Sequence, residues 1–329
     1  MFDRLLVSGI SLFFLGHGLL AGEPDTAKRA RGSVDFKPLP PGNVPETYRL
    51  GEHRFDFELT PRTERRLSGY SISEVTFPSP VESPYPENNT VYAEYYLPSG
   101  NGPFPAVIVL EILAGGDSLA RGMASLLAQN NIAALFVRMA YYGPRRPKEG
   151  NVRLLSTNIP QTLDAVRQTV LDCRRATAWL ESRPEINPKR LGIVGTSLGS
   201  FLAALTAEME PKLHRTALLL SGGGFVDTFY DHPKAKSYVD FYEKIGGTKS
   251  RIKEVLAPID PLTYAGNLKD RNVLLIAARR DDIVPPKMAE ALWQASGKPK
   301  IVWINSTHYG AALYLVPMMD QVTKHFQAE

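Results

Sequence analysis

The five residues Gly195-Thr196-Ser197-Leu198-Gly199 constrain this chain more than any others. They follow the strand-like run Arg190-Leu191-Gly192-Ile193-Val194 and precede the helix-like run Phe201-Leu202-Ala203-Ala204-Leu205. A strand that turns sharply into a helix strains the residue at the corner and pushes its side chain outward. Glycines two before and two after the corner let the helix pack close to the strand. The pattern sets the Ser197 hydroxyl above the end of a sheet, at the positive start of a helix dipole.

The rest of the chain supplies a sheet to carry that corner. Residues 105–110, 132–137, 191–194, 217–220, 273–276 and 300–304 are unbroken apolar runs. Continuous rather than alternating hydrophobicity marks strands buried on both faces, and hence a parallel sheet. Helical periodicity separates most of them, at 118–129, 159–183, 200–210, 287–296 and 313–327. The alternation predicts an α/β fold: a doubly wound, mostly parallel sheet with helices on both faces. Segments 70–81 and 90–97 alternate instead and read as early antiparallel strands. Between Ser221 and Asn272 the rhythm breaks, and residues 225–265 read as a small helical insertion at the active-site edge, before the penultimate strand.

Composition suits one large domain: 329 residues, 43% hydrophobic and 22% charged. Residues 1–22 read as a secretory signal peptide, with an apolar segment over 5–20 and small residues at Ala21-Gly22. They point to an exported, periplasmic or extracellular bacterial protein with no membrane association after cleavage. Residues 23–66, rich in proline, glycine and charge, read as an N-terminal arm or linker before a domain spanning 67–329. The net charge of +4 is dispersed, which argues against a nucleic-acid surface. The single cysteine, Cys173, can form no internal disulfide. No zinc spacing occurs, and no metal or organic cofactor is expected.

A serine hydroxyl attacks only when a base takes its proton. The run 273–276 leads into a loop with two acids, Asp281 and Asp282, either of which could orient an imidazole. Of six histidines, only His308 stands just past a final strand. His17 falls in the leader, His53 in the arm, His214 and His232 before the acids, and His325 near the end of the last helix. Ser197, an acid and His308 thus occur in the chain order nucleophile, acid, base, one of the known orders of a serine triad. The oxyanion needs two N–H donors. Leu198 follows the serine, and Ile112 lies in the loop Glu111-Ile112-Leu113-Ala114-Gly115-Gly116, where the glycines permit a turn. The loop 138–148 carries Arg138, Tyr141 and Tyr142 at a strand's carboxyl end, where ligands bind in these sheets. Its cations are candidates to hold an acidic substrate group.

These motifs, from residue 106 to the last helix, resemble the α/β-hydrolase superfamily. The likeness is greatest to dienelactone-hydrolase-like and acetyl-xylan-esterase-like members. It rests on Val109-Leu110-Glu111-Ile112, on Asp260-Pro261-Leu262, and on Asp281 with Val284-Pro285. The resemblance implies a serine hydrolase cleaving carboxylic esters through an acyl-enzyme, with Ser197, Asp281 and His308 as its triad. The substrate would be a small-molecule or carbohydrate ester. It selects Asp281 because relatives place the acid three residues before the valine of the Val-Pro pair. Asp282 would then face the loop and accept backbone N–H bonds. Dienelactone hydrolases also carry an acid at the position of Glu111, but their nucleophile is cysteine where this chain has Ser197. Glu111 therefore stands as either a substrate contact or a structural partner. A peptidase, a thioesterase and a catalytically idle binding protein on the same fold are the alternatives. The sequence is silent on oligomeric state.

Overall fold

The computed structural model describes residues 29–40, 42–62, 69–113, 117–230 and 236–328. The expected signal peptide and the start of the arm lie outside these residues, as do the glycines at 115 and 116. Among the described residues no helix is long and apolar enough to cross a membrane.

The centre is a mostly parallel, mixed sheet. Its strands are β1 (Ala30–Phe36), β2 (His53–Pro61), β3 (Tyr70–Pro78), β4 (Thr90–Pro98), β5 (Phe104–Leu110), β6 (Ala133–Val137), β7 (Ile186–Thr196), β8 (Leu213–Leu219), β9 (Asn272–Ala278) and β10 (Lys300–Ile304). Among the described residues they lie in the order β1-β2-β3-β4-β6-β5-β7-β8-β9-β10. Strands β5 to β10 pair in parallel, whereas β1 to β4 and the β4–β6 pair are antiparallel. The chain runs from β5 out to β6 and returns to β7 on the other side of β5. That reversal opens a crevice at the carboxyl ends of β5 and β7, where ligands bind in open α/β sheets.

The apolar runs work as their composition requires. On β5, Ala106, Ile108 and Leu110 face one core and Val107 and Val109 face the other. Helices α1 (Asp117–Gln129) and α8 (Leu315–Gln327) cover the second face. Helices α2 (Ile159–Glu181) and α3 (Leu198–Met209) cover the first. Both faces are buried, so hydrophobicity cannot alternate along these strands.

The N-terminal arm is not a linker. Residues 30–36 and 53–61 form β1 and β2 and extend the sheet, with Val34 opposite Phe55 and Phe36 opposite His53. Val34, Phe36, Phe55 and Phe57 are buried. They pack in the same core as α2. Its Trp179 packs edge-on against Phe57, and Arg174 donates to the Tyr48 carbonyl at 2.5 Å. The extension supplies the floor that α2 needs.

After β8 the insertion forms short helices α4 (Phe225–Phe229), α5 (Lys236–Lys244) and α6 (Lys249–Leu256), followed by 3-10 turns from Ala257 to Leu268. Helix α7 (Pro286–Ala295) then follows β9.

Glu208, near the end of α3, is 2% exposed, and neither carboxyl oxygen has a hydrogen-bond partner among the described residues. Burial, with the nearby Asp260 carboxylate, holds its pKa well above the ordinary 4.5. The folded chain keeps this proton while the unfolded chain releases it above 4.5. Stability is therefore full below that value and falls as pH rises toward the folded pKa. Glu208→Gln is expected to remove a loss of up to ~1.4 kcal/mol per pH unit over that range. Thermal unfolding of both proteins from pH 4 to pH 9 reads this out. Parallel pH curves would show that Glu208 is charged in the fold.

Candidate active site

The corner at Ser197 is strained. Its backbone lies at φ 52° and ψ −122°, outside the regions that side-chain-bearing residues favour. A Cβ at Gly195 would sit 2.1 Å from the Gly199 carbonyl oxygen, and one at Gly199 would sit 2.4 Å from the Glu111 carbonyl oxygen. Both are backbone clashes, so the two glycines are steric requirements of the turn. The Ser197 N–H donates to the Leu219 carbonyl at 2.9 Å, tying the corner to β8.

The structure brings Ser197, His308 and Asp281 together. Ser197 Oγ lies 2.9 Å from His308 Nε2, and His308 Nδ1 lies 2.8 Å from Asp281 Oδ2. The three stand at the carboxyl ends of β7, β10 and β9 respectively. The His308 and Asp281 side chains are 7% and 1% exposed. Asp281 Oδ1 accepts the N–H groups of Ile283 at 2.9 Å and Val284 at 2.7 Å. This corrects the division of labour expected between the two acids. Asp281 itself accepts the loop N–H bonds, because its two oxygens point apart, one to the loop and one to His308. Asp282 is exposed.

Leu198 is the first residue of α3, so its N–H is among those a helix leaves unsatisfied and can offer to an anion. Ile112 follows Glu111, whose carbonyl abuts Gly199. The second candidate donor thus belongs to a strand end packed against the corner.

Glu111, Arg138, Tyr141 and Tyr142 do not stand open to a substrate. All four are buried. A buried guanidinium needs acids around it, and Arg138 has three. It donates to both oxygens of Asp117, lies 3.4 Å from Glu94 Oε1 and 3.4 Å from Glu111 Oε2, and covers the Phe136 ring. Arg121 also donates to Glu94, at 2.7 Å. Arg145 is fully buried, 2.7 Å from Asp172. These cations brace the ends of β4, β5 and β6 against α1 and α2, in place of the expected hold on an acidic group. Burial pushes the Glu111 carboxyl up to about 7, against the pull of Arg138.

Sequence reasoning does not single out Glu94, which lies in an alternating strand; it shows Asp260 only within Asp260-Pro261-Leu262, because two of its partners lie 36 and 35 residues earlier in the chain. Asp260 accepts N–H bonds from Gly224, Phe225 and Leu262. Phe201 was visible only as an apolar residue of the helix after the corner. Its ring lies 5.0 Å from that of Phe225.

Comparison with known proteins places this geometry. A family model described as alpha/beta hydrolase domain containing 18 matches residues 57–231, more than half of the chain. The chain belongs to the alpha/beta hydrolase domain containing 18 family. A second model, the prolyl oligopeptidase family, matches residues 162–301 of this α/β hydrolase. An uncharacterized protein of Mycobacterium tuberculosis (strain ATCC 25618 / H37Rv) is 29% identical over 214 residues, 63% of each chain. Acyl-coenzyme A thioesterase 5 of Mus musculus is 26% identical over 221 residues, 66% of this chain and 47% of that protein. The chain thus spans less than two thirds of the length of these curated relatives. Among solved structures, an acetyl xylan esterase from Paenibacillus sp. R4 superposes with a TM-score of 0.65 at 20% identity, over 82% of this chain and 88% of that one. Acetyl xylan esterase 1 from Thermoanaerobacterium sp. JW/SL YS485 gives 0.58 at 19% identity, over 80% and 87%. The fold is that of esterase-like hydrolases.

Proposed function

We propose that this chain is a serine hydrolase that cleaves carboxylic esters through an acyl-enzyme. The observation that carries the reading is the continuous series from Ser197 Oγ through His308 to Asp281, at 2.9 and 2.8 Å. His308 Nε2 takes the serine proton as Oγ bonds to the ester carbonyl carbon. Asp281 holds the Nδ1–H and stabilises the imidazolium. The carbonyl oxygen gains negative charge, which the N–H groups of Leu198 and Ile112 would receive. Collapse breaks the bond to the alcohol oxygen, and His308 returns the proton to it. Water then gives a proton to His308 and attacks the acyl carbon. Ser197 leaves with that proton, and one acid and one alcohol result from one ester and one water.

Likeness to a mouse thioesterase supports a second reading, in which sulfur is the leaving atom. A short p-nitrophenyl ester, the matched acyl thioester and a prolyl peptide amide separate the readings. The ester is expected to give the highest kcat/KM, by about tenfold or more. A clear preference for the thioester or the amide, or no turnover of any of them, would contradict the proposal.

A further inference from the structure

We infer that Phe201 and Phe225 form an apolar wall of the substrate pocket, so that the site selects esters of alkyl or aryl groups over sugar esters. The inference rests on the ester-hydrolase reading of the same site and names its substrate class.

Phe201 lies one turn along α3 from Ser197, and its N–H reaches the Ser197 carbonyl at 3.3 Å. Helical side chains lean toward the N-terminus, which here is the nucleophile's end. Phe225 opens the insertion as the first residue of α4. The two rings meet at 5.0 Å and 51°. Each covers part of the other, and together they present a continuous apolar surface.

The wall is held in place. One carboxylate, Asp260, accepts the N–H groups of Gly224 at 2.9 Å, Phe225 at 2.9 Å and Leu262 at 3.0 Å. The first two residues begin the insertion, and Leu262 follows its last helix. Asp260 therefore clamps both ends of the insertion and sets Phe225 against α3. Asp260 is a positioning residue in this arrangement.

Further exposed apolar side chains stand near the triad in the chain. Leu113, Ile283 and Tyr309 stand next to or near Ile112, Asp281 and His308 in the chain, and they are 52%, 37% and 65% exposed. Two nearby cations have partners of their own. Arg279 lies over Trp303, and Arg280 donates to the Asn305 carbonyl at 3.1 Å. Apolar side chains of this kind gain by covering alkyl or aryl surface.

The test compares kcat/KM for p-nitrophenyl acetate, propionate and butyrate, and for hexyl acetate against acetylated xylose. For the wild type, kcat/KM is expected to rise about fourfold with each methylene, the fold-change equivalent to ~0.8 kcal/mol of transfer energy. Hexyl acetate is expected to be the better of the two acetyl esters. Phe225→Ala and Asp260→Asn are expected to flatten the butyrate-to-acetate ratio. Loss of folded protein scales both substrates equally, so a merely structural defect leaves the ratio unmoved. A flat wild-type series, an unchanged ratio in Phe225→Ala, or a preference for acetylated xylose overturns the inference while the ester-hydrolase reading stands. Absence of turnover on every ester overturns both.

Discussion

Ser197→Ala is expected to lower kcat on a short ester by about 10⁵- to 10⁶-fold, the scale seen when a serine hydrolase loses its nucleophile. The residual rate comes from donors that alanine does not remove, the N–H groups that face the oxyanion. The fold should survive. The Ser197 hydroxyl makes its hydrogen bond to His308, while the backbone N–H that ties the corner to Leu219 is retained in alanine. Alanine also meets the same strained φ as serine. Steady-state kinetics beside thermal unfolding checks both halves. A variant that keeps its melting temperature and more than a small fraction of its turnover would move the chemistry away from Ser197.

Asp281→Asn is expected to cut the chemical rate by about 10³- to 10⁴-fold, with Asp282→Asn costing about tenfold or less. The geometry gives the reason. An asparagine at 281 can keep its oxygen on the Ile283 and Val284 N–H groups, since Oδ1 already accepts them. Its NH₂ then faces His308 Nδ1 and must donate. That places the imidazole proton on Nε2, where it can no longer accept from Ser197. The enzyme would be folded and held in the wrong tautomer. Asp282 is exposed and outside this series. Turnover and folded fraction of both variants decide the matter. An inactive Asp282→Asn beside an active Asp281→Asn would reverse the assignment.

The legible features share a physical character. The corner at 195–199 announces itself because only glycine fits beside the Gly199 and Glu111 carbonyls, so the steric demand is written in residue type. The parallel strands are legible because double-sided burial leaves no room for polar alternation. His308 stands out by its place just after the last strand. The strands β1 and β2 are harder to see. Val34 and Phe36 alternate with polar residues, as do Phe55 and Phe57, but each run is short, and a proline-rich stretch divides them. Their burial depends on partners distant in the chain, Phe77 of β3 for Phe55 and Trp179 of α2 for Phe57. The arginines at 138 and 145 read in sequence as cations open to an acidic substrate group because their partners are distant. Glu94 is 44 residues from Arg138. Asp172 is similarly remote from Arg145, and burial of both guanidinium groups is a property of the folded neighbourhood alone.

The most direct measurement is covalent labelling of the folded protein with a fluorophosphonate, followed by peptide mass spectrometry. A strained, histidine-paired serine should carry the label at Ser197 with one adduct per chain, and Ser197→Ala should carry none. Label on another residue, or an active protein that leaves Ser197 unmodified, would contradict a serine nucleophile at this corner.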